Sequence, residues 1–175
     1  MPFIMIMMAM LATLFFGADG RQDRRADEVK ATAQATASRM AWYHGQAMRQ
    51  CAVAGSCPTG EVTVDQSSLN TPLNLATTFQ TASNGTILVT TWRGTPTETD
   101  ARTMRGLVGA ALSAVTEGSL NAGLYSAPTS SIRSSTAVVY AEAGSAQVGR
   151  SITVPATVGP MTVQDGSPVI ASQLN

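Results

Sequence analysis

Thr86-Ile87-Leu88-Val89-Thr90-Thr91-Trp92-Arg93 (TILVTTWR) is a β-branched run with a tryptophan near its end, and Gly94-Thr95-Pro96-Thr97-Glu98 follows at once. Branched and aromatic side chains pack well on a pleated surface, so the first segment reads as a strand. Thr95 and Glu98 stand at capping-box spacing with Pro96 in the first helical position, so the second segment opens a helix. That helix is expected to run for about twenty residues, with Ala101, Met104, Leu107, Val108, Ala111, Leu112 and Val115 on its apolar side. Gly118 is placed to end it as a left-handed cap.

Upstream of this unit, residues 52 to 85 read as loop with short extended pieces. Gly60-Glu61-Val62-Thr63-Val64 alternates like a strand, Pro58 and Pro72 punctuate, and Asn84-Gly85-Thr86 reads as a turn rather than a glycosylation site. Downstream, Ile132 to Ala141 is expected to be a strand region centred on Thr136–Tyr140. Ser151–Pro155 and Pro160–Val163 are two further extended pieces, and Asp165-Gly166 is a turn signal. Pro168-Val169-Ile170-Ala171 is expected to form a final edge strand, because proline lacks the N–H that a ladder uses. The predicted class is α+β: a membrane helix continuing into a long helix, then a small, mainly antiparallel sheet with one further helix.

From about Ala26 to Cys51 the chain lacks proline and is rich in alanine. Val29, Ala33, Ala37, Met40, His44, Ala47 and Cys51 recur every three or four residues and so share one helical face. The stripe is mostly small, which lets another element approach closely. Ala33, Ala37 and Met40 on that face, with the neighbouring aromatics Trp42 and Tyr43, are the candidate contact surface. The competing reading is that they are simply core, and it is the favoured one for Trp42.

Met1 to Ala18 (MPFIMIMMAMLATLFFGA) carries no charged side chain. As a helix it would span roughly 27 Å, the short end of what crosses a hydrocarbon core. It reads as a transmembrane anchor; a cleaved signal peptide and a buried core helix are the alternatives. The domains expected are thus an anchor over 1–18, a helix over 19–52 and a globular α+β domain over 53–175. Arg21, Arg24, Arg25 and Lys30 after the apolar run favour a cytoplasmic flank. Cys51 and Cys57 argue the other way: two close cysteines in a small Ser/Thr-rich domain read as a local disulfide in an oxidising compartment. Two unrelated buried thiols are the alternative. The periplasm is the side adopted.

The composition excludes more than it identifies. The 175 residues hold 11 basic and 11 acidic side chains, for a formal net charge of zero, and Lys30 is the single lysine. Charged residues are 13% of the chain, about half the ordinary share. A neutral, lysine-poor chain lacks the basic face that nucleic acid requires. His44 is the only histidine, and Cys51 and Cys57 match no zinc spacing. No G-x-S-x-G elbow or phosphate-loop lysine occurs, and Glu98 and Asp100 are better explained by a helix start. No catalytic, cofactor-binding or metal-ligating residue is expected, and the chain is not expected to be an enzyme.

One resemblance adds to this. The apolar segment followed by Ala37-Ser38-Arg39-Met40-Ala41-Trp42-Tyr43-His44-Gly45-Gln46-Ala47 resembles the Ala-x-x-Met-x-x-Tyr run of the PilM family of type IVB (thin) conjugative pilus systems. This family is distinct from the cytosolic actin-like pilus protein of the same name. The order of Gly60-Glu61-Val62, Leu69, Pro72, the Val89–Trp92 strand, a helix and the late Asp165-Gly166-Ser167-Pro168-Val169-Ile170 tail is also similar. The family's Leu-Pro-x-aromatic element is here replaced by Leu69-Asn70-Thr71-Pro72-Leu73-Asn74. The resemblance implies a single-pass inner-membrane accessory protein of pilus assembly for DNA transfer. Its partners would be other pilus assembly proteins or pilins, with homo-oligomerisation left open. A minor pilin and a cleaved periplasmic binding domain are the alternatives. Against a pilin stand the missing basic leader and the absence of a glutamate inside the apolar run.

Overall fold

The computed structural model describes the backbone of residues 2–66, 75–93, 99–116, 121–133 and 153–174, and, within these, side chains from residue 24 onward apart from 99–102 and 133. The fold is α+β; among the described residues it has two α-helices, an antiparallel main sheet and a second small sheet. Helix α1 spans Pro2–Val53. The chain divides into two compact units, Met1–Thr32 and Ala33–Asn175. The break therefore falls inside the helix expected over 19–52, and its second half belongs to the globular unit. In the first unit, Arg24 to Thr32 are all exposed. Among the described residues no helix is long and apolar enough to cross a membrane. The apolar side chains of 1–18, on which the anchor expectation rests, lie outside them.

In the second unit the strands are β1 (Gly60–Glu61), β2 (Phe79–Ser83), β3 (Ile87–Trp92), β4 (Ala122–Ser126), β5 (Ser131–Arg133), β6 (Thr157–Val158), β7 (Met161–Thr162) and β8 (Pro168–Gln173). Helix α2, Thr99–Val115, lies between β3 and β4 in the chain. The main sheet has the order β1-β2-β3-β8-β4-β5 and every pairing in it is antiparallel; β6 and β7 form the second sheet.

Strand alternation gives the main sheet two buried faces. On one face Phe79, Leu88, Ala122 and Ile170 join Ala33, Ala37, Met40, Tyr43 and Ala47 of α1 and Val108 and Leu112 of α2 in one apolar cluster. On the other, Ala82, Val89, Val169 and Ala171 pack with Val154, Val158, Met161 and Val163 around the β6–β7 hairpin. Helices, sheet and hairpin are thus three layers around one central sheet. The hairpin's turn presses on the sheet edge at Gly159, where an added Cβ would lie 2.9 Å from the Gly60 Cα.

Several expectations meet the described residues. The 86–93 strand is present as β3, and the turn before it is made by Asn84. Its Oδ1 accepts from the Thr86 N–H at 3.0 Å, the Thr86 hydroxyl at 2.8 Å and the Ile87 N–H at 2.9 Å. In α2, Val108 and Leu112 are buried and Met104, Leu107 and Ala111 pack against them, while Val115 is exposed. The capping residues 95–98 and Gly118, and the strand centre 136–140, lie outside the described residues. Of Gly60–Val64 only the first two residues are strand, although Val62 and Val64 are buried.

One placement is corrected. Pro168–Ala171 is not an edge: β8 lies between β3 and β4, in the interior of the sheet. Pro168 is tolerated because it is the first residue of the strand, and its carbonyl accepts from the Thr91 hydroxyl at 3.2 Å. Strands β2 and β4 were not expected from the sequence.

Candidate functional site

The candidate contact surface on α1 is core. Ala33, Ala37, Met40 and Tyr43 are between 0% and 2% exposed, and all four belong to the cluster between helix and sheet. The small-residue stripe admits the helix close to its own sheet instead of to a partner. Tyr43 packs on Phe79 with ring centroids 5.8 Å apart. Burial pushes the Tyr43 phenol up, with its backbone hydrogen bond at Val64 acting in the opposite sense. Trp42 is half-buried and packs against the same cluster.

The same helical face carries His44 into the interior. Its Nδ1 lies 2.9 Å from Thr90 Oγ1 and its Nε2 lies 2.8 Å from Ser172 Oγ. Thr90 Oγ1 is in turn 2.7 Å from Thr81 Oγ1. The imidazole thus engages the neighbouring strands β3 and β8, and Thr90 extends the network to Thr81 on β2. In a neutral imidazole one nitrogen donates and the other accepts. The ring is therefore satisfied in either tautomer. Either Ser172 donates to Nε2 and Nδ1 donates towards the threonines, or the whole chain runs in reverse. Burial lowers the His44 pKa to about 4 by desolvating the charged form.

Ser172 and His44 are at the distance of a nucleophile and its base, yet the rest of such a site is missing among the described residues. The second nitrogen faces a threonine rather than a carboxylate, and the surface cleft described below includes neither residue. Buried polar groups that satisfy one another fix the register of the elements that carry them. Here that role falls to α1 on the sheet.

Cys51 and Cys57 form a disulfide with a Cα–Cα distance of 4.4 Å. It ties the end of α1 to the loop before β1. Among the described residues no group of three or more His, Cys, Asp or Glu side chains is placed to hold a metal ion.

Among the described residues a surface cleft of about 200 Å³ is lined by Gln80, Trp92, Arg93, Arg105 and Gln164 together with the hydroxyl residues Thr91, Thr162 and Ser167. Gln80 and Thr91 are directly opposed on β2 and β3. Arg93 follows β3, Arg105 comes from α2, and Thr162 and Gln164 come from β7 and the turn after it. Arg93 Nη2 donates to Glu61 Oε1 at 2.9 Å, in an exposed ion pair. Arg105 is half-buried, and no described carboxylate pairs with it.

Neither the buried network nor the cleft was read from the sequence. For His44 a signal existed, since it falls between Met40 and Ala47 on the apolar stripe. Its partners Thr90 and Ser172 are 46 and 128 positions away, and only strand register brings them together. The cleft depends on β2, which no apolar alternation announces.

Comparison with protein-family models, with curated proteins and with solved structures finds no match for this chain.

Proposed function

We propose that the chain is a membrane-anchored accessory protein of type IVB pilus assembly for conjugative DNA transfer, with its globular unit in the periplasm, acting through protein–protein contacts. The observation that carries this reading is the Cys51–Cys57 disulfide, which suits an oxidising compartment. It outweighs the basic residues after the apolar run, which argue for a cytoplasmic flank. The uncharged 1–18 stretch supplies the anchor, and the resemblance of the Ala37–Ala47 run supplies the pilus context. With Ala33, Ala37, Met40 and Tyr43 in the core, contact with partners falls to other surfaces: the exposed Arg24–Thr32 segment and the polar cleft.

The test has two readouts. The first is intact mass of the chain recovered from membranes, with alkylation before and after reduction. A full-length chain whose thiols alkylate only after reduction supports the anchored periplasmic reading. Loss of about 18 residues, the length of an apolar run removed by cleavage, rejects the anchor. Free thiols on a full-length chain place the domain in the cytoplasm and reject the reading. The second readout is mating: deletion is expected to abolish pilus formation and transfer, with rescue by the gene in trans. Recovery of the chain in sheared fibres makes it a fibre subunit instead.

A further inference from the structure

The cleft between α2, the β2–β3 strands and the β6–β7 hairpin has a one-sided chemistry. Its described lining contributes two guanidinium groups, two amides, three hydroxyls and the Trp92 indole, and no carboxylate. Arg93 is half neutralised by Glu61, whereas Arg105 meets no described acid. A half-buried guanidinium keeps its charge and offers a planar fork of donors that matches a carboxylate. Gln80 and Gln164 can donate to a bound oxygen and accept from a backbone amide. At about 200 Å³ the space is below what a drug-sized ligand or cofactor fills, so it suits one side chain or one chain end.

We propose that this cleft binds a carboxylate presented by a peptide, an acidic side chain or a chain terminus, with Arg105 as its principal anchor. The site stands on the cleft alone and does not depend on the pilus reading, which has separate tests.

The experiment uses the full chain in detergent and a Gly-Glu-Glu-Gly peptide with a free C-terminus, labelled with an uncharged BODIPY dye and followed by anisotropy at low ionic strength. Saturable binding is expected, weakened about tenfold or more by Arg105→Gln and less by Arg105→Lys. Gln80→Glu, which places a negative charge in the lining with Arg105 intact, is expected to abolish binding. Arg39→Gln, on an exposed helical position, leaves it unchanged. An amidated Gly-Gln-Gln-Gly peptide is not bound. Equal binding by the wild type and Arg105→Gln, or by the uncharged peptide, overturns the proposal. So does inorganic phosphate competing at concentrations where acetate has no effect, which would make the cleft a phosphate site. Thermal unfolding of each variant accompanies the titrations, and Gln80→Glu retains the test should Arg105→Gln not fold.

Discussion

His44 Nε2 and Ser172 Oγ lie 2.8 Å apart, joining a residue of the N-terminal helix to one in the last strand across 128 positions of sequence. The contact closes the fold: β8 is the last strand made, it lies in the sheet interior, and its polar side chain meets the helix through the imidazole. A buried, hydrogen-bonded His at such a junction has consequences for pH.

Burial holds the His44 pKa at about 4, against 6.5 for an exposed imidazole. Between those values the unfolded chain takes up a proton that the folded chain does not. The stabilisation is therefore complete above pH 6.5 and is lost as pH falls through about 4, at a cost of roughly 3 kcal/mol. Urea unfolding at about pH 7.5 and about pH 4.5 measures it against His44→Gln, which keeps a donor and an acceptor but no titration. The wild type is expected to lose more stability than the variant over this range. Equal losses would show that His44 is not held neutral in the fold.

Met40→Ala tests whether the α1 stripe is core. Met40 is 0% exposed in the cluster with Ala37, Tyr43 and Leu88. Truncation there leaves a cavity and is expected to cost about 2–5 kcal/mol in the isolated protein. A change below about 0.5 kcal/mol, the ordinary range for surface positions, would return the residue to the list of contact candidates.

The parts of this fold that could be read from sequence are those where one segment carries its own signal. TILVTTWR is branched and apolar, the α2 side repeats every three or four residues, and Asn84-Gly85 and Asp165-Gly166 are local turn chemistry. Strand β2 (Phe79-Gln80-Thr81-Ala82-Ser83) hides because Thr81 and Ser83 are buried polar residues, with Thr81 hydrogen-bonded to Thr90. Pro168 alone points to an edge for strand β8. Yet Val169, Ile170 and Ala171 are consecutive buried residues, the pattern of a strand covered on both faces. Register, which pairs Gln80 with Thr91 and brings Ser172 under His44, is a property of the assembled sheet, so neither the cleft nor the network had a local signature.

Two glycines separate backbone strain from close approach. Gly166 has φ +72° with open space around its Cβ position, so Gly166→Ala costs the left-handed conformation alone, about 1 kcal/mol. Gly159 has φ +56° and also faces Gly60 backbone at 2.9 Å, so Gly159→Ala adds a displacement of the hairpin from the sheet edge. It is expected to cost at least about 1 kcal/mol more, in the range seen for overpacking. Thermal unfolding of the two variants side by side decides it. Equal losses would mean that the hairpin turn does not rest on β1.

The Cys51–Cys57 bridge closes a short loop at the end of α1, with Cys51 buried in the helix–sheet cluster and Cys57 packed against it. For so short a loop the entropy removed from the unfolded chain corresponds to roughly 2 kcal/mol. A Cys51→Ser/Cys57→Ser double variant is expected to fold with its unfolding free energy lowered by more than that amount, the excess coming from a hydroxyl buried where Cys51 packs. Cys57→Ser alone leaves Cys51 as a buried thiol, a small apolar group that suits its site. That single variant isolates the cross-link, and reducing the wild type should reproduce its stability. If the reduced wild type instead matches the oxidised one, the bridge adds nothing to the unfolding equilibrium. The loop after α1 would then be held by Val62 and Val64 in the core, both of which are buried beside the helix.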